Sequence, residues 1–394
     1  MTIDTIDFEN MSKTAKALKS ALTAAIGSLP QSHTPQDKRN ASRNWHQQVL
    51  KRALECRTAF LARENNLLSN LANGSTFSPH AIDPVVMPCL TKEDFLIFSY
   101  FALWSSFPTH DRPGRRLKFL VRDIGQRNQP LIGICCLSSP VRQVRARDDW
   151  IGWSGAEHRS ARARNLVHVA DLSTCVSLPP YSALTGGKLL AGLMTSNEVR
   201  SLYRARYCHQ LTIRQRRRAD ELFLLTTSGC YGSNTPQYKG LKCDGESLYR
   251  FIGYSRGYSH FQIDPNLYEE VKAFVIRRRP DTKGLFRTWC NSKLRVLRLA
   301  ARDLGIPEEH LVFTGHRRGM FASPLDSNWR DLLLERTSRR EPLSRPAVHI
   351  VQAWKRDWLP RRLGDPTVAH SVLSFEPHRA RISSILEHSD DYRT

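Results

Sequence analysis

Between Leu117 and Thr227 short β-branched apolar runs alternate with a helical run led by two glycines, an order that neither an all-helical nor an all-β fold accommodates. Leu117–Asp123 and Leu131–Leu137 flank the polar turn IGQRNQP and predict a β-hairpin. Asn165–Asp171 predicts a third strand, Glu221–Thr227 a fourth, and Tyr249–Ile263 a bent fifth strand or a second hairpin. A helix is expected from Gly186-Gly187-Lys188, broken by a capping box at Thr195–Glu198 and followed by a second helix ending near Tyr207. The fold class expected is α+β, a mixed sheet core with helical N-terminal and C-terminal flanks.

The flanks are read from helical spacing. Leu18, Leu22 and Ile26 recur every four residues, and Trp45, Val49, Ala53, Phe60, Leu67 and Leu71 mark a longer amphipathic stretch that stops at Asn73-Gly74. The polar stretch SLPQSHTPQDKRNASRN between them predicts a linker, and SPHAIDPVVMP a second boundary. After Ile263, Pro265–Arg279 and Asn291–Leu304 predict helices, the second stopped by Gly305. Beyond Leu325 arginine density rises without clear periodicity. The division expected is a helical N-terminal region over 1–85, a mixed α/β core over 86–264 and a basic, mainly helical region over 265–394.

Charge narrows the function. The chain carries 59 Lys+Arg against 37 Asp+Glu, a formal net charge of +22. A compact protein of that charge repels itself, and a polyanion relieves the repulsion. Arginine outnumbers lysine by about three to one, and its planar fork matches phosphate geometry. The sequence is therefore expected to bind nucleic acid, DNA above all. No apolar stretch approaches the roughly 18 residues of a membrane span. The nine cysteines are scattered with no C-x-x-C, the usage of a reduced cytoplasmic protein rather than a disulfide framework or a zinc site.

Basic residues interleave with aromatics in two places. Arg200, Tyr203, Arg204 and Tyr207 fall at helical spacing, followed by Arg214, Arg216, Arg217 and Arg218. In the fifth strand, Tyr254, Arg256, Tyr258 and His260 alternate onto one face, the pattern of a platform on which unpaired bases stack. Arg142, Arg145 and Arg147, then Arg159, Arg162 and Arg164, bracket Trp150 and Trp153 and predict a phosphate-binding surface. Gly186, Gly187 and Lys188 are the expected anion site, because amides at an exposed helix start point outward with the positive dipole end. Other readings stay open. Asp123, Asp148, Asp149, Asp171, Glu198 and Asp220 could supply metal-binding carboxylates for phosphodiester chemistry. His316 is a lone loop histidine, and G-x-S-x-G and H-E-x-x-H are both lacking. These residues fix neither catalysis nor a cofactor.

The order of hairpin, strand, glycine-led helix and strand resembles the core of the acetyltransferase superfamily, which grips a coenzyme A pyrophosphate at such a turn. The segment SNTPQYKGL is similar to that superfamily's next helix. The resemblance implies an acetyltransferase-like mixed sheet core and keeps an acyltransferase open, although the spaced glycines of the usual turn are missing. More specifically, IGICCLSSPVRQVRARDDWIGWS, RNLVHVADLSTCVSLPPYSALTGGKLLAGLMTSNEV, LLTTSGCYGSNTPQYKGL and GYSRGYSHFQI occur in one order and resemble the DruA family of the Druantia anti-phage defence system. That resemblance spans roughly residues 95–375. It implies a role in bacterial defence against phage beside a large helicase-like partner, and it carries no established active site.

Overall fold

The computed structural model describes residues 14–25, 60, 62–105, 114–212, 216–257, 263, 265–282, 292–307 and 317–382. The chain divides into two compact units, Met1–Trp45 with Ser255–Arg318, and His46–Tyr254 with Gly319–Thr394. The architecture is mixed α+β.

The larger unit is built on a sheet whose described strands are β1 (Pro84–Pro88), β2 (Arg116–Asp123), β3 (Leu131–Ser138), β4 (Val169–Ser177), β5 (Leu224–Gly229), β8 (Arg250–Tyr254) and β9 (Gly319–Pro324). Their order is β1-β2-β3-β4-β5-β9-β8, and β6 (Lys242–Cys243) pairs with β7 (Glu246–Ser247) separately. Each neighbouring pair in the large sheet is antiparallel except β4 and β5, which run parallel. That parallel pairing covers only Val169–Asp171 against Leu224–Thr226. Past it Thr227 Oγ1 donates to Leu172 O at 3.0 Å and lies 3.1 Å from Tyr238 Oη, while Gln237 Nε2 donates to Cys175 O at 3.1 Å.

The described helices of this unit include α1 (Lys92–Phe101), α2 (Arg145–Ile151), α3 (Arg159–Asn165), α4 (Gly186–Leu193) and α5 (Asn197–Tyr207). All eight residues of β3 are buried, because both sheet faces are covered. Ile132, Cys135 and Leu137 enter one apolar cluster with α4, while Leu131, Ile134 and Cys136 enter another with α1.

The predicted hairpin is β2–β3. The third strand sits further along than expected, at Val169–Ser177, because Arg159–Asn165 is helical and Asn165 Nδ2 is tied to Leu333 O at 3.2 Å. The cap of α5 is Ser196, which accepts from Val199 N, while the Glu198 carboxylate accepts from Ala347 N at 2.9 Å. Residues 84–88, expected as a boundary, form the edge strand β1, whose terminal prolines suit an edge. The last strand, β9, falls in the stretch expected to be mainly helical; it is buried throughout and lies between β5 and β8.

The smaller unit holds a helical run at residues 14–25 with α6 (Pro265–Arg278) and α7 (Ser292–Leu304). Both later helices lie where the spacing places them, and Gly305 ends α7 with a φ of 61°. Leu18 and Leu22 pack with Val271, Phe274, Val275, Val296, Leu297, Ala300 and Ala301 to make this unit's own core. In the larger unit the described helices after β9 include α8 (Trp329–Leu333) and α9 (Ala347–Asp357).

Candidate nucleic-acid interface

The fifth predicted strand is short, and one glycine decides what it presents. At Gly253 the backbone takes a φ of 127° and the register against β9 shifts between Phe251 and Gly253. That bulge resets the alternation of side chains, so Phe251 and Tyr254 meet with ring centroids 5.0 Å apart at 71°. Phe251 is 41% and Tyr254 48% exposed. Behind them the buried Phe321 contacts Phe251 edge-on at 5.6 Å, and the Tyr254 hydroxyl donates to Ser233 Oγ at 3.2 Å. Tyr231, also exposed, precedes the Gly232 that lies under the Tyr254 ring. Arg250 at the strand's start is exposed.

The expected alternation of Tyr254, Arg256, Tyr258 and His260 therefore does not run along one strand. β8 stops at Tyr254, and Arg256 is exposed near the start of the smaller unit's second segment. Tyr258 and His260 lie outside the described residues, as do Arg214 and His316. Phe251 is the residue that sequence reasoning missed. Gly253 was its signal, since a glycine inside a strand pattern marks a bulge.

The arginines separate into two populations. Arg142, Arg145, Arg204, Arg216 and Arg218 are exposed. Arg145 Nε donates to Asp149 at 3.3 Å, and Arg204 stands 4.0 Å from Asp220. Arg147 is 1% exposed. Its Nε and Nη2 hold Asp148 Oδ1 at 2.9 and 2.6 Å, and its Nη groups donate to Val141 O and Arg142 O. Arg200 turns inward and donates to Leu325 O at 3.0 Å, to Leu343 O and to Asn197 Oδ1. Arg147 thus leaves the set of surface cations, and the half-buried Arg200 is tied inward, because guanidinium groups drawn out of water need internal acceptors and find them here. Arg217 is half-buried. The tyrosines between the α5 arginines are core residues: Tyr203 and Tyr207 are buried, and Arg115 lies within 5.7 and 5.9 Å of their ring centroids.

The glycine-led turn is closed on itself. Thr185 caps α4 with a φ of 60°, Gly186 N donates to Tyr181 O at 2.9 Å, and Lys188 N donates to Thr185 O at 2.9 Å. A Cβ on Gly186 would stand 2.3 Å from Ser177 Oγ and 2.8 Å from Tyr181 O. The Gly186 position therefore serves close packing. A Cβ on Gly187 would meet only Gln237, at 3.5 Å. The Lys188 ammonium is buried, donates to Lys239 O at 2.5 Å and lies 4.1 Å from the Trp358 ring centroid. Burial lowers its pKa from 10.5 to about 8.

The carboxylates are dispersed. Asp123 accepts from Tyr181 Oη, Asp83 N and Gly125 N and so holds the β2–β3 turn. Asp148 and Asp149 pair with Arg147 and Arg145, Asp171 accepts from Thr226, and Glu198 caps Ala347. Among the described residues no group of three or more His, Cys, Asp or Glu side chains is placed to hold a metal ion. Among them, too, no helix is long and apolar enough to cross a membrane.

Comparison with known proteins adds a family. A family model described as Druantia protein DruA matches residues 36–335. A Druantia protein DruA from Escherichia coli (strain UMEA 4076-1) is 32% identical over 286 residues, covering 71% of this chain and 68% of the relative. No solved structure matches.

Proposed function

The chain belongs to the DruA family, and from that membership we propose that it serves Druantia anti-phage defence by holding phage-derived DNA for a helicase-like partner. The observation that carries the binding reading is the Phe251–Tyr254 pair, two half-exposed rings in contact on the edge strand of a protein with a net charge of +22. Large apolar rings at a surface lose free energy to water unless something covers them. A base has the flat π-face that suits them, and stacking on an aromatic is tolerant of sequence. Exposed Arg250 on the same strand, with Arg142, Arg145, Arg204, Arg216 and Arg218 elsewhere on the unit, supplies phosphate contacts.

The site takes single-stranded or branched DNA in preference to intact duplex, because paired bases offer no free face. The β-strand order and the single parallel pair fit the acetyltransferase-like core implied by the sequence, with α4 as part of the crossover between the parallel strands. Gly186, Gly187 and Lys188 would be an anion site only if the turn opened, since Tyr181, Gln237 and Trp358 now surround it. The function proposed therefore rests on the β8 edge.

Phe251→Ala and Tyr254→Ala each remove one ring while leaving the buried Phe321 in place. Each should weaken single-stranded DNA by about 1–3 kcal/mol and leave duplex affinity within error. Fluorescence anisotropy on matched single-stranded and duplex oligonucleotides reads the difference. Equal losses on both, or none on either, would overturn the platform.

A further inference from the structure

On the face of the sheet that packs with α4, β3 and β4 bring two thiols into contact. Cys135 and Cys175 stand directly opposite each other in the antiparallel register, and their sulfurs are 3.9 Å apart. Directly opposed residues of an antiparallel pair have Cα atoms about 4.5–5.5 Å apart, inside the roughly 4.4–6.8 Å that a disulfide spans. Closing the gap to a bond of about 2.05 Å therefore asks for rotation of the two side chains and no movement of the strands. Both are free thiols in this structure. Among the described residues they belong to no group of three or more metal-binding side chains, which leaves their reaction with each other.

The two sulfurs differ in what can reach them. Cys135 is fully buried in the apolar cluster that holds α4, whereas Cys175 packs against that cluster and is only partly buried. Burial, together with the contact to Cys175, pushes the Cys135 thiol well above its ordinary value, so it does not ionise to meet a reagent by itself. The adjacent Cys136 alternates to the other sheet face and is buried there beside α1 in the same cluster as Cys89. Burial, with the Asp94 carboxylate nearby, pushes the Cys89 thiol up to about 12. Of these four thiols, a reagent arriving from water meets Cys175 first.

We propose that Cys175 and Cys135 form a reversible oxidation site, at which a hydroperoxide converts the dithiol to a disulfide. The Cys175 sulfur, as thiolate, attacks a peroxide oxygen. A sulfur–oxygen bond forms, the oxygen–oxygen bond breaks, and with hydrogen peroxide the departing hydroxide takes up the Cys175 proton and leaves as water. The Cys135 sulfur then attacks the Cys175 sulfenic acid: the sulfur–sulfur bond forms, the sulfur–oxygen bond breaks, and the released hydroxide leaves as water with the Cys135 proton. The two sulfurs give up two electrons and the peroxide accepts them. Contact between the partners makes the second step intramolecular, ahead of further oxidation at Cys175. The cysteines are 40 positions apart, and the loop between them carries α2 and α3. Closing such a loop removes freedom from the unfolded chain, so the oxidised protein should unfold at higher urea than the reduced one. The site does not depend on the nucleic-acid reading.

The test treats the reduced, folded full chain with hydrogen peroxide, alkylates the remaining thiols after unfolding, and maps the tryptic peptides by mass spectrometry. Two of the nine thiols should be lost, joined in one peptide pair that dithiothreitol separates again. Cys135 and Cys136 share a tryptic peptide, so substitutions assign the bond: Cys136→Ser should keep it and Cys135→Ser should abolish it. In Cys135→Ser the Cys175 sulfenic acid has lost its partner and should be trapped by dimedone. Cys175→Ser should leave Cys135 fully alkylatable. Circular dichroism checks each fold, and Cys135→Ala serves if the serine variant does not fold. The inference is overturned if peroxide leaves both thiols of wild type alkylatable, if Cys175 is bridged to any other cysteine, or if Cys135→Ser still forms the linked pair. An oxidised protein whose Cys175 carries only sulfinic or sulfonic acid would overturn it as well, because Cys135 would then not resolve the sulfenic acid.

Discussion

The β4–α4 turn and the β8 edge look alike in sequence, each a short segment in which glycine accompanies residues suited to a ligand, and they fold to opposite ends. At the turn three polar groups are answered from within: Gly186 N by Tyr181 O, Lys188 N by Thr185 O, and the Lys188 ammonium by Lys239 O and the Trp358 ring. At the edge the bulge at Gly253 leaves two rings half in solvent. The difference teaches that a residue type suggests a chemistry, while the partner that tertiary structure supplies decides whether the chemistry is free to be used. Glycine itself plays two parts here. Gly186 permits contact with Ser177 and Tyr181, whereas Gly253 supplies a left-handed backbone that re-aims its neighbours.

The contrast breaks most visibly at the turn. Gly186→Val places a branched side chain where even a Cβ would stand 2.3 Å from Ser177 Oγ, and it should cost about 3 kcal/mol of stability or more. Gly187→Ala meets only Gln237 at 3.5 Å and should stay within about 0.5 kcal/mol of wild type. Urea unfolding midpoints of the two variants read the comparison directly. Equal behaviour at both positions would mean that the turn is not packed closed.

A smaller effect separates two tyrosines, Tyr249 just before β8 and Tyr254 at its end. The Tyr249 hydroxyl is buried and donates to Ala191 O of α4 at 2.9 Å, whereas that of Tyr254 bonds to Ser233 at the surface. Tyr249→Phe should destabilise by about 1 kcal/mol, because the Ala191 carbonyl loses its side-chain donor. Tyr254→Phe should leave stability unchanged while keeping the exposed ring. The same unfolding experiment measures both, and a loss at Tyr254 equal to that at Tyr249 would place Tyr254 in the core.

A further effect is a pH dependence. Lys188 has a folded pKa of about 8 against 10.5 for the ordinary amine. Between those values the unfolded chain binds more protons than the folded one, so stability from this group rises with pH through that window. Below about pH 8 both states are protonated, and the cost of burying the charge is present in full. Lys188→Met removes the titration, so wild type should gain on the variant as pH is raised from 7.5 toward about 10. A difference in unfolding midpoint that stayed flat across that range would show that the ammonium is not desolvated.

Much of the fold was legible because its signals are local. The β2–β3 hairpin, the start of α4, and α6 and α7 lie where period and punctuation place them, since each is stabilised by contacts within a few residues. β9 was not legible. Its six residues carry a glycine and a proline, and they become a strand because β5 and β8 flank them with hydrogen bonds from far away in sequence. β1 was hidden for a similar reason, its two prolines reading as a boundary until β2 pairs with it. The shift of the third strand depends on Asn165 reaching Leu333, 168 positions along the chain.

The candidate site shows the same division more sharply. By itself the sequence determined the excess of positive charge, the richness in arginine and the aromatic residues near Tyr254 from which the proposed nucleic-acid reading starts. It could not determine which arginines face outward. Arg145 and Arg147 are two residues apart on one short helix, yet the first is exposed and the second lies beneath Val141 O and Asp148. A guanidinium on a long, flexible stem goes wherever acceptors satisfy it, and those acceptors are assembled only by packing. Nor could alternation alone pair Phe251 with Tyr254, three positions away. A strand with unbroken alternation sends them to opposite faces, and the left-handed backbone of Gly253 brings them together only once β9 has fixed the register.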